Sequence, residues 1–90
     1  MLKVKKGFIL RKLGTEYMAV AIGEASRNFN GMIRLNGTGA FYWKELEKGT
    51  TKEDLVSQTL EKYEGVTEET ALHDVEEFLD AISVAVEDVR

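Results

Sequence analysis

The side chains that could catalyse a reaction or bind a metal are few in this chain and poorly grouped. His73 is the only histidine, and there is no cysteine, which excludes thiolate zinc sites and thiol nucleophiles. A catalytic or metal-binding histidine needs partner groups at suitable spacing, and the sequence offers His73 none. At about 100° per residue it lies on the predicted third helix roughly 200° from Ala71, opposite the apolar stripe. We therefore interpret His73 as a solvated surface residue.

Carboxylates crowd the same predicted helix. Paired carboxylates perform acid–base catalysis only where burial separates their pKa values, and these fall mostly on the polar face of the helix. We interpret them as a solvated helix surface. They are Glu68, Glu69, Asp74, Glu76, Glu77 and Asp80.

Two further groups offer weak signals for ligand binding. Gly37 and Gly39 follow a short strand-like run, but the third glycine and the Lys-Ser/Thr ending of phosphate-binding loops are missing. Phe41, Tyr42 and Trp43 could stack on bases. On a helix of an acidic protein we interpret these aromatic residues as core, with Tyr42 at the rim. The sequence therefore predicts a protein that is not an enzyme and has no cofactor and no metal.

Composition limits the class of protein further. Ninety residues predict one domain, residues 1–90, and 43 % hydrophobic residues can build a modest core. A net charge of −4 disfavours a nucleic-acid partner, because phosphate binding depends on Lys and Arg. The basic N-terminus lacks the apolar segment of a signal peptide, and the longest apolar run, residues 17–22, is too short to span a bilayer. We predict a soluble cytoplasmic protein with no membrane partner.

The N-terminal half is predicted to form a β-hairpin. Two strands, residues 8–13 and 16–22, flank Gly14-Thr15, and glycine at the first central position suits a type II′ turn. In that register Leu10 faces Ala19. Both faces of the hairpin carry apolar side chains, so periodicity does not decide which face meets the core.

A third strand and a helix follow a polar loop at residues 23–31. Asn36-Gly37 is a hairpin signal by itself, but apolar residues recur after it at helical spacing and Asn36 is a good N-cap. We therefore predict a strand at Met32–Leu35 and a helix from about residue 37 to 48, ending at Gly49. The recurring apolar residues are Ala40, Trp43 and Leu46.

Two more helices are predicted in the C-terminal half. Thr50 and Glu53 form a capping box at the start of the second helix, and Gly65 ends it. Thr67 caps the third helix, which carries the clearest amphipathic stripe of the chain. The predicted fold class is thus α+β, a three-stranded antiparallel sheet followed by three helices. The stripe consists of Ala71, Val75, Phe78, Ile82 and Ala85.

The short strand Met32–Leu35 is the physical candidate for a binding site. We expect it at the edge of the sheet, where backbone N–H and C=O groups remain unpaired. An edge strand beside a helix groove can accept an extended peptide as an added strand. The same edge also permits homodimerisation by strand pairing or domain swapping.

Four segments of the chain stand out together: Asn28-Phe29-Asn30-Gly31, residues 35–43, residues 49–55 and residues 74–79. In their order and spacing they resemble the PqqD family (pyrroloquinoline quinone biosynthesis protein D and its PqqD-like members). The resemblance covers nearly the whole chain, residues 8–82. One departure is that family members often end the third helix in glycine followed by aliphatic residues. Here residues 83–90 continue differently, so either the helix is longer or the tail packs differently.

The resemblance implies a RiPP recognition element, a domain that binds the leader of a ribosomally made precursor peptide. It implies a winged-helix-like fold and delivery of the peptide to a modifying enzyme, a radical SAM enzyme in the case of PqqD. Whether the pathway makes pyrroloquinoline quinone or another peptide product stays open. The implied peptide-binding residues are Met32, Ile33, Arg34 and Leu35 on the strand and Asp74, Glu77, Phe78 and Ala81 on the third helix.

Two rival interpretations remain at this point. A winged-helix DNA-binding regulator would have a similar layout, but it needs a basic recognition helix, and the third helix is acidic. A structural subunit or an anti-sigma-type interaction protein without a peptide substrate is also open.

Overall fold

The chain forms a three-stranded sheet and a smaller two-stranded sheet, and helices pack against them. The computed structural model describes residues 1–29 and 31–89, so Asn30 of the Asn28–Gly31 motif lies outside the described residues. The strands are β1 (Leu2–Val4), β2 (Phe8–Leu13), β3 (Glu16–Ala21), β4 (Met32–Leu35) and β5 (Val86–Asp88). The helices are α1 (Ala25–Asn28), α2 (Gly37–Lys48), α3 (Lys52–Lys62) and α4 (Glu68–Ala81), and a 3-10 turn (Ser83–Ala85) follows α4.

The predicted hairpin is confirmed. β2 and β3 pair antiparallel with Leu13 opposite Glu16 and Leu10 opposite Ala19. Gly14 has a φ of +62°, the left-handed conformation that the first central residue of a type II′ turn requires. β4 joins the other side of β3, so the order in the sheet is β2-β3-β4 and β4 lies at an edge. The α+β class with a three-stranded antiparallel sheet is confirmed.

The structure also decides which face of the sheet meets the core. Phe8 and Ala19 are buried, and Leu10, Ile33 and Leu35 pack against the same core cluster. In the opposite face Ile22 and Met32 are about half exposed. The face that begins with Phe8 is therefore the inner one, and the other faces solvent.

Hydrogen bonds at the helix starts explain where α2, α3 and α4 begin. Asn36 Oδ1 accepts a hydrogen bond from Gly39 N at 2.7 Å, and Thr67 Oγ1 accepts one from Thr70 N at 3.1 Å, so both predicted caps are confirmed. The capping box at Thr50 is wrong by one residue, because Thr51 Oγ1 accepts from Asp54 N. Thr50 stays extended since its backbone forms an antiparallel bridge with Leu2. The predicted end of α3 at Gly65 is also late, because the helix ends at Lys62.

The C-terminal tail departs from the predicted order of three strands and three helices. α4 ends at Ala81, and the buried residues Ile82 and Ala85 lie at its C-cap and in the 3-10 turn that follows rather than on a longer helix. The chain then forms β5, which pairs antiparallel with β1. Val89 N donates to Met1 O at 2.7 Å, so the ends of the described chain are tied together. The predicted order therefore lacked β1, β5 and the short helix α1 in the loop.

The core is built around α2. Trp43 and Leu46 are fully buried, as their helical spacing predicts, and α3 and α4 contribute Leu55 and Val75. Tyr42 was expected at the rim but is only 2 % exposed, because it faces both α3 and α4. None of the helices in the described residues is long and apolar enough to cross a membrane.

Candidate functional site

β4 has one paired side and one open side. It pairs antiparallel with β3, with Ile33 opposite Ala19 and Leu35 opposite Tyr17. No strand lies along its other side in the part of the chain that the structure describes. This open side is available to an added strand.

The hydrogen-bond pattern of the sheet shows which residues of β4 face outwards. Ile22 N donates to Gly7 O at 2.7 Å. Gly7 and Ile22 are therefore a hydrogen-bonded pair, and they lie directly next to the pair formed by Phe8 and Ala21. Hydrogen-bonded and non-hydrogen-bonded pairs alternate along an antiparallel ladder. Val20 and Met18 therefore bond to β2.

The intervening residues of β3, Ala19 and Tyr17, consequently bond to β4 through Ile33 and Leu35. The backbone N–H and C=O groups of Met32 and Arg34 then point to the open side. The side chains of Met32 and Arg34 are exposed on the outer face, whereas Ile33 and Leu35 pack against the core. β4 thus offers, on a strand anchored to β3, two residues whose backbone groups have no strand partner among the described residues.

A groove lies at the Leu35 end of β4, where α2 begins and α4 passes. It is closed at its base by Gly39: an ideal Cβ there would lie 3.1 Å from Phe78 Cε1 and 3.4 Å from Leu35 Cβ. Glycine allows this close approach, whereas a larger residue would require Phe78 to move by a few tenths of an ångström. The groove has a volume of about 390 Å³, and its lining consists of Asn36, Thr38, Gly39, Tyr42, Asp74, Glu77, Phe78 and Ala81.

The structure brings the residues implied by the family resemblance together. All four of the α4 residues, Asp74, Glu77, Phe78 and Ala81, line this groove. The four strand residues form the edge that leads to it. Their role in peptide binding stays a prediction.

The lining residues that sequence reasoning missed come from the first turns of α2. Tyr42 contributes to the floor, with its ring centroid 5.1 Å from that of Phe78. Thr38 lines the wall, and its hydroxyl lies 3.3 Å from the Tyr63 hydroxyl. The Asn36 cap followed by Gly39 was the available signal, since the cap places the start of α2 directly after the edge strand.

The groove combines an aromatic floor with an acidic wall. Glu77 Oε2 lies 3.1 Å from Nε2 of His73, whose side chain is 74 % exposed, as predicted for a surface histidine. Asp74 forms no ion pair with any residue that the structure describes. Among those residues no group of three or more potential ligands is placed to hold a metal ion. The arrangement suits an extended chain that carries apolar and cationic side chains.

Comparisons with known proteins give one family and one similar fold. The family model for coenzyme PQQ synthesis protein D (PqqD) matches residues 9–83. A solved structure described as TbiB1 in complex with the TbiA(beta) leader peptide has a similar fold, with a TM-score of 0.78 and 20 % sequence identity over 98 % of each chain. No curated protein sequence matches the chain. Because the family model spans most of its length, the chain belongs to the PqqD family.

Proposed function

We propose that this chain is a RiPP recognition element, a non-catalytic protein that binds the leader of a ribosomally made precursor peptide. The observation that carries the proposal is the open edge of β4, where Met32 and Arg34 direct backbone N–H and C=O groups away from the sheet. Membership of the PqqD family supports it. The solved structure with the similar fold is described as a complex with a leader peptide, which supports a leader peptide as the ligand.

In this proposal the leader adds to β4 as an antiparallel strand at the usual spacing of about 4.8 Å. Backbone hydrogen bonds to Met32 and Arg34 provide the sequence-independent part of the affinity. Leader side chains opposite Ile33 and Leu35 point to the inner face. The one opposite Leu35 enters the groove over Phe78 and Tyr42. This groove supplies the selectivity, because it accepts some side chains better than others.

The partner that receives the bound leader is a peptide-modifying enzyme, a radical SAM enzyme in this proposal, acting in the cytoplasm. The small domain holds the leader, and the enzyme acts on the remainder of the precursor. The product is a peptide-derived compound, pyrroloquinoline quinone or another. A radical SAM gene and a short precursor gene next to the gene of this protein would identify both partners.

Proline substitutions in β4 test the strand-addition site. Proline has no N–H to donate and is tolerated at edge positions whose N–H faces outwards. Arg34→Pro removes an outward donor and should leave the domain folded but abolish measurable leader binding by calorimetry. Ile33→Pro removes a donor to Ala19 and should instead destabilise the sheet.

Arg34→Ala is the matched control, because it removes the same side chain and keeps the N–H. Arg34→Ala should retain most of the affinity for the leader. The leader is supplied as a synthetic peptide whose sequence is read from the short precursor gene next to the gene of this protein. If folded Arg34→Pro binds this peptide as well as Arg34→Ala does, the leader does not add to β4.

A further inference from the structure

The charge of the chain is divided at the end of β4. Residues 1–35, which include the three-stranded sheet, carry seven Lys and Arg and two Glu. Residues 36–90, which include α2, α3 and α4, carry five Lys and Arg and fourteen Asp and Glu. Within the three strands themselves, three cations, Arg11, Lys12 and Arg34, stand against the single acid Glu16. A peptide added to β4 therefore lies between a basic sheet and an acidic helical layer. Its own charges must match both sides.

The basic side is the outer face of the sheet. The register places Arg11, Met18 and Arg34 in one row across β2, β3 and β4. Both arginine side chains are exposed, and neither forms an ion pair with a residue in the described ranges 1–29 and 31–89. A leader residue opposite Arg34 extends this row. Opposite charges favour such cross-strand neighbours and like charges disfavour them, so an acidic residue fits there.

The next row along the outer face is apolar. Ile9, Val20 and Met32 lie opposite one another across the three strands, and Met32 is 52 % exposed. A leader residue opposite Met32 extends this row and covers its side chain. An apolar residue fits that position.

The acidic side is the wall of the groove. A leader residue opposite Leu35 points to the inner face and reaches the groove, where Asp74 and Glu77 stand beside the ring of Phe78. A lysine or arginine can lay its aliphatic chain on the aromatic floor and place its charge at the carboxylates. Among the described residues Asp74 forms no ion pair, and the only basic side chain paired with Glu77 is that of the exposed His73.

These rows and the groove together predict the order of charged and apolar residues in the leader, which we call its charge code. We propose that the segment paired with β4 contains a basic residue followed directly by an acidic residue and then by two apolar residues. In antiparallel order they lie opposite Leu35, Arg34, Ile33 and Met32. The residue opposite Ile33 points to the inner face, where Ile33 packs against the core cluster, so an apolar residue fits there as well. This inference rests on the proposed function, since it assumes that the leader adds to the open edge of β4.

Synthetic peptides in one common flanking sequence test the order of the charges. One carries Lys-Glu-Val-Ile at its centre, and the second carries the exchanged order Glu-Lys-Val-Ile. Their composition, net charge and apolar residues are identical. Because cross-strand charge pairs change from attractive to repulsive, the first peptide should bind the wild-type protein about three- to tenfold more tightly by fluorescence anisotropy.

Charge reversals in the protein show which protein residue each charged position of the peptide contacts. Arg34→Glu should invert the preference between acidic and basic residues at the second peptide position only, and Asp74→Lys should do so at the first position only. Asp80→Lys is the matched control, because Asp80 lies on α4 outside the groove lining and undergoes the same change of charge.

The outcomes separate this inference from the proposed function. If both peptides bind equally, or if Asp80→Lys inverts the preference as Asp74→Lys does, the charge code is wrong while leader binding at β4 stands. If neither peptide binds, and Arg34→Pro leaves binding of the natural leader unchanged, both proposals are wrong.

Discussion

Replacing Trp43 tests whether the core that positions the groove depends on α2. The side chain is 0 % exposed and is the largest in the buried cluster. Truncating a fully buried tryptophan to alanine costs about 3–5 kcal/mol. A domain of this length has a free energy of unfolding of about 4–14 kcal/mol, so Trp43→Ala should remove a large part of that stability. At about 4–8 °C per kcal/mol, its midpoint of thermal unfolding should fall by at least about 12 °C.

Trp43→Phe is the matched control. Trp43 Nε1 has no hydrogen-bond partner among the described residues, so phenylalanine keeps an aromatic ring in the core and loses no bond. Trp43→Phe should lower the free energy of unfolding by less than half as much as Trp43→Ala does. Because Trp43 is the only tryptophan, unfolding is best followed by far-ultraviolet circular dichroism rather than by fluorescence. If Trp43→Ala melts within about 2 °C of the wild type, the indole does not hold the core together.

Two more predictions concern the groove and the rival function. Gly39→Val should lower leader affinity in calorimetry and cost more stability than Gly37→Val, because a Cβ at Gly39 meets Phe78 and Asn36 while one at Gly37 meets nothing within 4 Å. Equal effects of the two substitutions would show that the close approach at Gly39 is unimportant. Random duplex DNA should not bind at physiological salt in a mobility-shift assay, because the net charge is −4 and α4 is acidic. Submicromolar binding would revive the winged-helix regulator.

The parts of the fold that sequence reasoning predicted are those set by local interactions. The turn at Gly14-Thr15 determined the β2–β3 register, and the Asn36 side chain determined where α2 begins. The groove-lining face of α4 also followed from the family motif that contains Asp74 and Phe78.

The parts that were missed depend on contacts between distant residues. β1 and β5 have three residues each, too few for a periodic signal, and they form only because the two ends of the chain pair. A separate bridge between Leu2 and Thr50 holds Thr50 extended and moves the start of α3 by one residue. Ile82 and Ala85 continue the helical spacing of α4, although the helix has already ended, because a 3-10 turn keeps both side chains in the core.

Amide hydrogen exchange at β4 tests the strand-addition site most directly. In the free protein the amides of Ile33 and Leu35 should exchange slowly, because they bond to β3, and those of Met32 and Arg34 should exchange fast. Saturation with the leader peptide should slow the exchange of Met32 and Arg34, since each gains a backbone partner. If these two amides still exchange fast when the leader is bound, the leader does not pair with β4, and the central claim is contradicted.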